Sequence, residues 1–562
     1  MRFGFDCSDG AIDDRAFAFA GTPQPPMSDR PHLLASGAAA APAPKGGPRP
    51  WWETRPFVAA MILLAFVPLL YPPVPPLVDL LGHMARYRVE LDLATSPDLQ
   101  RYYSFEWQLI GNLGVDLLVV PLSKIFGLEL AVKLIVMTIP PLTVAGFLWV
   151  AREVHNRLPP TVLFALPFAF GHPFLFGFVN YSLAMALAFL GFGLWLRLGR
   201  LGKTGLRAIL FVPISFLLFI THTFGWGTLG LLAFSAEAVR QHDRGIGWWR
   251  SAIRAALHAS VMIGPLLLML LWRSGVSSEM TRDFFNVPAK LLWLVMALRD
   301  RWQLLDMISV AIPLTMLVFA WRRPELTLSR NLAFSALMLF AFFLILPRIV
   351  FGSAYADMRL VPFVIATALL GIRFKDATDP RLARNLALIG LAFYGGRIAV
   401  NSASLAIAAN NQSARLAVLD HVPRGARLVH LVSEDCATLW ALARNTHLGA
   451  MATVRRHAFS NDQWEIEGAN LLSVRYAAAG RFRADPSQIV RPAACANRDA
   501  RPVEKALAEI PADAFDYVWT IDLPPQPAGV PVGFVPIWRG PGSLLYAKRD
   551  FAKSPPAAKE EQ

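Results

Sequence analysis

The sequence predicts a mainly α-helical protein, with a multi-pass transmembrane bundle of about eleven spans, periplasmic juxtamembrane helices and a small C-terminal α/β domain. The first observation is composition. With 55% hydrophobic and 17% charged residues over 562 positions, the chain has more apolar surface than a soluble core can bury. Long apolar runs, and loops that alternate between Arg-rich and Arg-free, are the other two observations. Lipid is therefore the expected solvent for much of the chain.

Both ends of the chain are expected to be disordered. Residues 1–50 are rich in Pro and Ala and show little periodicity, so they are predicted to form a cytoplasmic tail, and residues 551–562 to form a second, short one. The first long apolar run begins near Phe57 and lacks a small-residue cleavage site, so no signal peptide is predicted. Met1 and Met27 are both open as the start of translation.

The predicted spans are apolar runs long enough to cross about 30 Å of hydrocarbon. They lie near 56–72, 128–150, 161–176, 180–198, 207–221, 224–240, 255–273, 303–321, 331–349, 359–373 and 385–408. Loops such as RLGRLGK, after the fourth span, are rich in Lys and Arg and are predicted to be cytoplasmic, whereas GHPFLFGFVN, THTFGW and FGSAYADM carry neither residue and are predicted to face the periplasm. This pattern predicts a bacterial inner-membrane protein with a cytoplasmic N-terminus.

Residues 51–410 form the predicted transmembrane domain, with a long first periplasmic loop at 73–127. The apolar end of that loop, 107–127, would place the later Arg clusters outside if it were a span. It is therefore predicted to be an amphipathic or re-entrant helix at the periplasmic interface, which the charges of Asp116 and Lys124 favour.

Residues 411–550 change in character, because strand-like runs such as ARLVHLVS and FDYVWTID alternate with helix-like runs. A small α/β domain is predicted there, in the periplasm. In that compartment Cys436 and Cys495 would be able to form a disulfide, and two buried thiols are the equally open alternative. No cysteine has zinc-ligand spacing, so no metal site is predicted from it.

The first periplasmic loop carries the densest group of candidate catalytic residues. Asp79, His83 and Arg86 have helical spacing that places them on one face, and Arg88 follows. A carboxylate beside a histidine and an arginine can act as a general base and hold a phosphate. The alternative is a solvated amphipathic helix on lipid headgroups.

Three other predicted periplasmic turns carry polar groups at membrane depth, where such groups are costly and often functional. These residues are His172, Asn180, Tyr181, His222, Asp357 and Arg359. Arg359 lies at the start of a span and is suited to holding a lipid phosphate through two hydrogen bonds. The alternatives are local: hydrogen-bonding turn residues, a helix-end histidine and a structural Asp–Arg pair.

Several function classes are disfavoured by the sequence. It contains no Walker loop, nucleophile elbow or dinucleotide fingerprint in a suitable context, so no use of ATP is predicted. The net charge of +14 is spread through short loops rather than gathered on one face, so no nucleic-acid partner is predicted.

The order of the first half resembles the GT-C class of membrane glycosyltransferases. A first span is followed by PPLVDLLGHMAR and then by YYSFEWQLIGNLGVDLLVVPLSKIFGLELAVKLIVM, which is similar to that class's juxtamembrane helix, turn and second span. The resemblance covers roughly 55–410 and rests on short motifs. Asp79 is followed by Leu80, whereas many members carry an acidic pair at that point.

The resemblance implies transfer of a hexosyl or pentosyl group from a polyprenyl-phosphate donor to an envelope glycan, lipid or protein. Asp79 would be the catalytic base, and Arg359, helped by Arg86 or Arg88, would neutralise the departing phosphate. The histidines His83, His172 and His222 would contact phosphate or orient the acceptor. A divalent cation held by Asp79 and Asp357 is an option that no ligand spacing supports.

Two other classes remain open from the sequence. A transporter or flippase for a lipid-linked glycan would line a path with polar groups, but the sequence has no internal repeat and its polar residues cluster on one side. A catalytically silent membrane protein of envelope assembly is the third option.

Overall fold

The computed structural model describes residues 49–272, 281–375, 379–435, 440–465, 470–493, 501–524 and 531–552. The predicted disulfide between Cys436 and Cys495 lies outside these residues, as does nearly all of the predicted N-terminal tail. These described residues belong to one compact unit.

Helices make up most of the described chain. The α-helices are α1 (Arg55–Leu64), α2 (Val67–Leu70), α3 (Leu80–Asp92), α4 (Pro97–Gln100), α5 (Gly114–Phe126), α6 (Leu128–His155), α7 (His172–Phe176), α8 (Val179–Arg200), α9 (Thr204–Thr221), α10 (Thr223–His242), α11 (Trp248–Ala259), α12 (Gly264–Trp272), α13 (Val287–Val295), α14 (Gln303–Arg322), α15 (Arg330–Ile345), α16 (Val361–Leu370), α17 (Pro380–Leu416), α18 (Ala450–Arg456), α19 (Val503–Glu509) and α20 (Arg549–Ala552). Asp379 caps α17 by accepting a hydrogen bond from the Arg381 amide, and Pro380 occupies its first position.

Five helices in the described chain are long and apolar enough to cross a membrane, and they identify a membrane protein. They are Leu128–His155, Val179–Arg200, Thr204–Thr221, Gln303–Arg322 and Pro380–His421. Side chains such as Ile209 and Leu217 on α9 are 70% and 57% exposed, which suits a surface covered by lipid.

The predicted count of eleven spans is not confirmed. Shorter apolar helical stretches occur at Arg55–Leu70, Pro160–Phe176, Arg330–Ile345 and Met358–Leu370. The second of these is broken into Pro160–Phe164, Leu166–Phe170 and α7, because Pro167 and Pro173 lack the amide hydrogen that a continuous helix needs. Helix α5 has 13 residues and is about 20 Å long, so it is too short to cross the hydrocarbon core of a bilayer.

The centre of the bundle is formed by α6 and α8, which carry rings that pack edge to face. Phe147 and Phe189 lie with ring centroids 4.9 Å apart, and Phe189 stacks on Phe363 of α16 at 5.7 Å. Gly146 allows this approach, since a Cβ there would lie 2.9 Å from the Phe189 Cβ. Helices α6, α8 and α16 are therefore tightly packed against one another.

The C-terminal region contains a five-stranded sheet, as the strand-like runs predict. The strands of the described chain are β1 (Tyr103–Phe105), β2 (Leu326–Leu328), β3 (Ile372–Phe374), β4 (Leu428–Ser433), β5 (Leu472–Val474), β6 (Ile489–Val490), β7 (Tyr517–Ile521), β8 (Phe534–Gly540) and β9 (Ser543–Lys548). The sheet order is β6-β4-β7-β9-β8, in which β6, β4 and β7 run parallel and β9 runs antiparallel to β7 and β8.

The C-terminal region is joined to the first loop by strand pairing. Strand β1 of that loop pairs with β5 in antiparallel register, from Tyr103 opposite Val474 to Phe105 opposite Leu472. Trp464 lies against α3 at Gly82, where a Cβ would be 2.5 Å from the indole ring. The start of α3 is therefore in contact with residues that lie far away in the sequence.

Candidate active site

A cavity of about 1140 Å³ lies where the start of α3 meets the 350–359 loop and the C-terminal region. Concave sites with a few convergent polar groups are the usual locations of small-molecule chemistry. Its lining includes these residues predicted from the sequence: Asp79, His83, Asn180, Tyr181, His222 and Arg359. Arg86, Arg88, His172 and Asp357 are not part of the lining.

Asp79 is placed by a close backbone contact at the start of α3. Its amide donates a hydrogen bond to the Phe176 carbonyl at 2.9 Å. Gly177 follows with φ 103°, and a Cβ there would lie 2.7 Å from the Asp79 nitrogen, so glycine is required on both counts. Asp79 is the N-cap residue of α3, but its side chain makes no capping hydrogen bond. The carboxylate is therefore available to the cavity.

The Asp79 carboxyl has a pKa well above its usual range. Burial is the main cause, the nearby Asp485 carboxylate adds to it, and Arg359 acts in the opposite direction. His447 Nε2 lies 3.8 Å from Asp79 Oδ1 and 3.9 Å from Asp485 Oδ1. Burial also raises the pKa of Asp485. Two carboxyl groups with raised proton affinity thus share one histidine.

His83 lies one helical turn after Asp79. Burial, followed by the positive charge of Arg86, lowers the pKa of His83 well below its usual value, so the imidazole is neutral near pH 7. Its ring lies 4.9 Å from that of Trp464, and its buried Nδ1 has no hydrogen-bond partner in the described chain. His83 can therefore act as a neutral donor or acceptor.

Arg359 is a buried cation without a carboxylate partner. Its Nη2 donates to Ser353 Oγ at 2.9 Å and to the Ala354 carbonyl at 3.0 Å, and its guanidinium lies 4.0 Å from the Phe178 ring centroid. Its side chain makes no ion pair within the described residues, and its Nε is buried without a partner. A guanidinium that is only 6% exposed is costly to bury without an ion pair, and the Asp79 carboxyl is the carboxylic acid that acts on it electrostatically.

Tyr181 and His222 form the wall of the cavity next to Arg359. The Tyr181 hydroxyl donates to the Arg359 carbonyl at 2.5 Å. His222 caps α10, because its Nδ1 accepts a hydrogen bond from the Phe224 amide at 3.1 Å. In the neutral ring the proton must then be on Nε2. His222 therefore contributes a hydrogen-bond donor to this wall.

Arg86 and Asn180 share a buried network with Asp116, and of the two only Asn180 also lines the cavity. Arg86 Nη2 lies 2.7 Å from Asp116 Oδ1, with both side chains almost fully buried, so its positive charge is already balanced. Asn180 Nδ2 donates to Asp116 Oδ2 at 2.9 Å, and its Oδ1 accepts from the Val115 amide at 2.6 Å. Helix α3 turns Arg86 toward Asp116 of α5, so Asp79 and His83 line the cavity but Arg86, predicted on the same face, does not.

The remaining three candidate residues lie outside the cavity lining. Arg88 bonds to Asp92 at 2.6 Å and to the Val454 carbonyl at 3.0 Å. His172 is buried on α7, and neither ring nitrogen has a partner in the described chain. Asp357 accepts a hydrogen bond from Lys290 at 3.2 Å and caps the turn at Met358, and it is not paired with Arg359.

These contacts bear on the cation considered for Asp79 and Asp357. Lys290 already supplies positive charge at Asp357, and Asp357 does not line the cavity. The residues therefore do not fit that cation. In the described ranges, no group of three His, Cys, Asp or Glu side chains is arranged to hold a metal ion.

Sequence reasoning missed the part of the site that comes from the C-terminal region. His447, Trp464 and Asp485 all line the cavity beside Asp79. They reach it because residues 460–463, Ser-Asn-Asp-Gln, are buried, and Gln463 donates to the Gly82 carbonyl at 3.2 Å. In the sequence, residues 460–463 are an ordinary polar run. Their burial, which would have marked them as part of a site, is visible only in the structure.

Comparison with solved structures gives remote similarities, two of them to structures of the same protein. ArnT from Cupriavidus metallidurans, in a crystal structure with bound undecaprenyl phosphate, has 12% identity and a TM-score of 0.47, covering 88% of this chain and 97% of that chain. The apo state of the same protein has 13% identity and a TM-score of 0.45, with the same coverage. No protein-family model and no curated protein matches the sequence. Similarity at this level identifies neither a family nor an activity.

Proposed function

We propose that this protein is a membrane glycosyltransferase of the GT-C type, which moves a hexosyl or pentosyl group from a polyprenyl-phosphate donor to a hydroxyl of an envelope acceptor. One observation carries the proposal. Asp79 and Arg359 line the same cavity. Asp79 is a carboxyl group with a raised pKa, and Arg359 is a buried guanidinium without an ion-pair partner in the described chain. These are the two groups that sugar transfer from a lipid phosphate requires: a base for the acceptor and a cation for the leaving group.

Asp79 acts as the general base. The acceptor oxygen forms a bond to the anomeric carbon, the bond from that carbon to the phosphate oxygen breaks, and the acceptor proton moves to the Asp79 carboxylate. Its raised pKa strengthens the base, because proton affinity closer to the working pH favours the transfer. Activity therefore requires ionised Asp79 and is expected to rise with pH through that raised pKa.

Arg359 holds the donor phosphate and stabilises the lipid phosphate that leaves. A guanidinium matches the oxygens of a phosphate with parallel donors. Its hydrogen bonds to Ser353 and Ala354 keep it oriented before the donor arrives. His222, which lines the same cavity, supplies a further donor, and neutral His83 orients the acceptor hydroxyl. Some of the residues in the cavity lining come from loops that carry no Lys or Arg and are therefore expected to face the periplasm. We therefore place this chemistry on the outer face of the inner membrane.

The test is a transfer assay with the full chain in nanodiscs, a panel of radiolabelled polyprenyl-phosphate sugars and an envelope extract. Asp79→Asn is expected to lower the rate by about 10²- to 10⁴-fold. Arg359→Ala is expected to lower it by about 10²- to 10³-fold. Asp92→Asn and Arg101→Ala are matched controls, because both side chains bond to surface neighbours outside the cavity, and they should transfer at the wild-type rate.

The outcomes separate the proposal from its alternatives. Transfer that persists undiminished in Asp79→Asn would remove the base from the mechanism. Movement of a lipid-linked glycan between leaflets, with no sugar transferred, would indicate a flippase instead.

A further inference from the structure

The three parallel strands of the C-terminal sheet end at the cavity. The residues immediately after β4, β6 and β7 are Glu434, Arg491 and Asp522, and all three belong to the cavity lining. In parallel sheets, ligands bind outside the carboxyl ends of the strands, where the loops diverge. The same cavity that holds Asp79 and Arg359 therefore has a second wall built by the sheet.

The ends of these strands are held in place by ion pairs. Arg491 donates to Glu434 at 3.4 Å, which joins the ends of β6 and β4. Asp522 accepts two hydrogen bonds from Arg415 on α17, at 2.9 Å and 2.5 Å. Helix α17 thus connects the membrane-embedded part to the end of β7. This wall is preorganised by contacts that do not involve Asp79 or Arg359.

Two further polar side chains on this wall are unused by the fold. The Asp435 carboxylate and the Asn445 side-chain amide line the cavity, and neither makes a hydrogen bond or ion pair within the described part of the chain. Trp464 adds an aromatic ring to the same cavity lining, with its centroid 4.5 Å from that of His447. Carboxylates, amides and one aromatic ring are the groups that bind the hydroxyls and C–H faces of a sugar.

We infer that the strand-end wall is a binding subsite for a hydroxyl-rich glycan, the acceptor of the proposed transfer. Asp435 and Asn445 bind acceptor hydroxyls, and Trp464 stacks on a sugar ring that delivers its reactive hydroxyl toward Asp79. The donor phosphate stays at Arg359, which lines the same cavity. The assignment of this glycan as acceptor rests on the proposed function, whereas its binding does not.

The test measures binding of glycan and lipid separately on the full chain in nanodiscs. The glycan probe is the oligosaccharide fraction released by mild acid from the envelope of the producing cells, detected by saturation-transfer NMR. Asp435→Ala and Asn445→Ala are each expected to weaken binding by about tenfold, the effect of losing one hydrogen bond to a charged or strongly polar group. Asp420→Ala, on the exposed surface, is the matched control and should bind as wild type does. The lipid probe is undecaprenyl phosphate, detected as a rise in Tm.

Each outcome decides one of the two proposals. Glycan binding that is lost in the two cavity variants and kept in the control supports the subsite. No glycan binding by wild type, or equal binding by all variants, overturns it, even when undecaprenyl phosphate raises Tm. Glycan binding without any effect of undecaprenyl phosphate keeps the subsite but argues against the lipid-phosphate donor.

Discussion

Arg86 and Arg359 are two buried arginines in different surroundings, and the difference separates structure from function. Both side chains are almost fully removed from solvent, at 3% and 6% exposure. Arg86 has the Asp116 carboxylate at 2.7 Å, whereas within the described residues Arg359 contacts a hydroxyl, a carbonyl and two aromatic rings and makes no ion pair. A buried charge is tolerated when its partner is present, so the partner missing at Arg359 is expected to come from a ligand.

The largest expected effect is on stability, from Arg86→Ala. The substitution leaves the Asp116 carboxylate buried without its cation, which costs about 3–5 kcal/mol of unfolding free energy. Denaturant titration in detergent micelles measures the loss. The double variant Arg86→Met with Asp116→Leu removes both charges and should recover most of it. A single variant as stable as wild type would contradict the structural role of the pair.

Arg359→Ala tests the other half of the comparison. It removes a buried charge that has no carboxylate partner, so the unfolding free energy is expected to change by no more than about 1.5 kcal/mol, the contribution of a typical hydrogen bond. Undecaprenyl phosphate at a hundred times its Kd should stabilise wild type by about 2.7 kcal/mol and stabilise the variant much less. Equal stabilisation of both proteins would show that the phosphate lies elsewhere.

Asp79 gives a smaller, pH-dependent effect. Its folded pKa is raised, so its favourable contribution to stability is complete below the unfolded pKa and is lost as pH rises through the folded pKa. Asp79→Asn has no charge to bury, and its stability relative to wild type is expected to increase with pH over that window. Denaturant titrations at a series of pH values measure the difference. A difference that does not vary with pH would argue against the raised pKa.

The smallest effect is expected at Arg88, which sequence analysis grouped with Arg86. Arg88 pairs with Asp92 at a partly exposed site, and such pairs contribute at most about 1 kcal/mol. Arg88→Ala should therefore leave both the Tm and transfer near wild type. A loss as large as that of Arg86→Ala would place Arg88 among the essential contacts.

Sequence reasoning was most successful where a pattern is local. Long apolar runs predict helices such as α6, α8 and α9, because hydrophobicity sustained over about 20 residues is its own signal. The spacing of Asp79 and His83 predicts their shared helix face, and both line the cavity.

Sequence reasoning failed where the partner of a side chain depends on which element packs against the face of α3. The charge of Arg86 is visible in the sequence, but its pairing with Asp116 of α5 is a tertiary contact. His447 and Asp485 were missed for the same reason, since β1 and β5, which bring them to α3, have only three residues each. Strands of that length have no recognisable periodicity.

The strand pairing between β1 and β5 has a consequence for the order of biosynthesis. A ribosome releases Asp79 long before His447 and Asp485, while the membrane helices are already being inserted. Until the later residues emerge and β5 pairs with β1, the nascent chain contains Asp79 without His447 and Asp485. The cavity also lacks the wall formed by the ends of β4, β6 and β7. Under the proposed mechanism, the protein therefore cannot transfer sugar from a lipid-linked donor during its own insertion, and a chain terminated before Leu472 would insert into the membrane without being active.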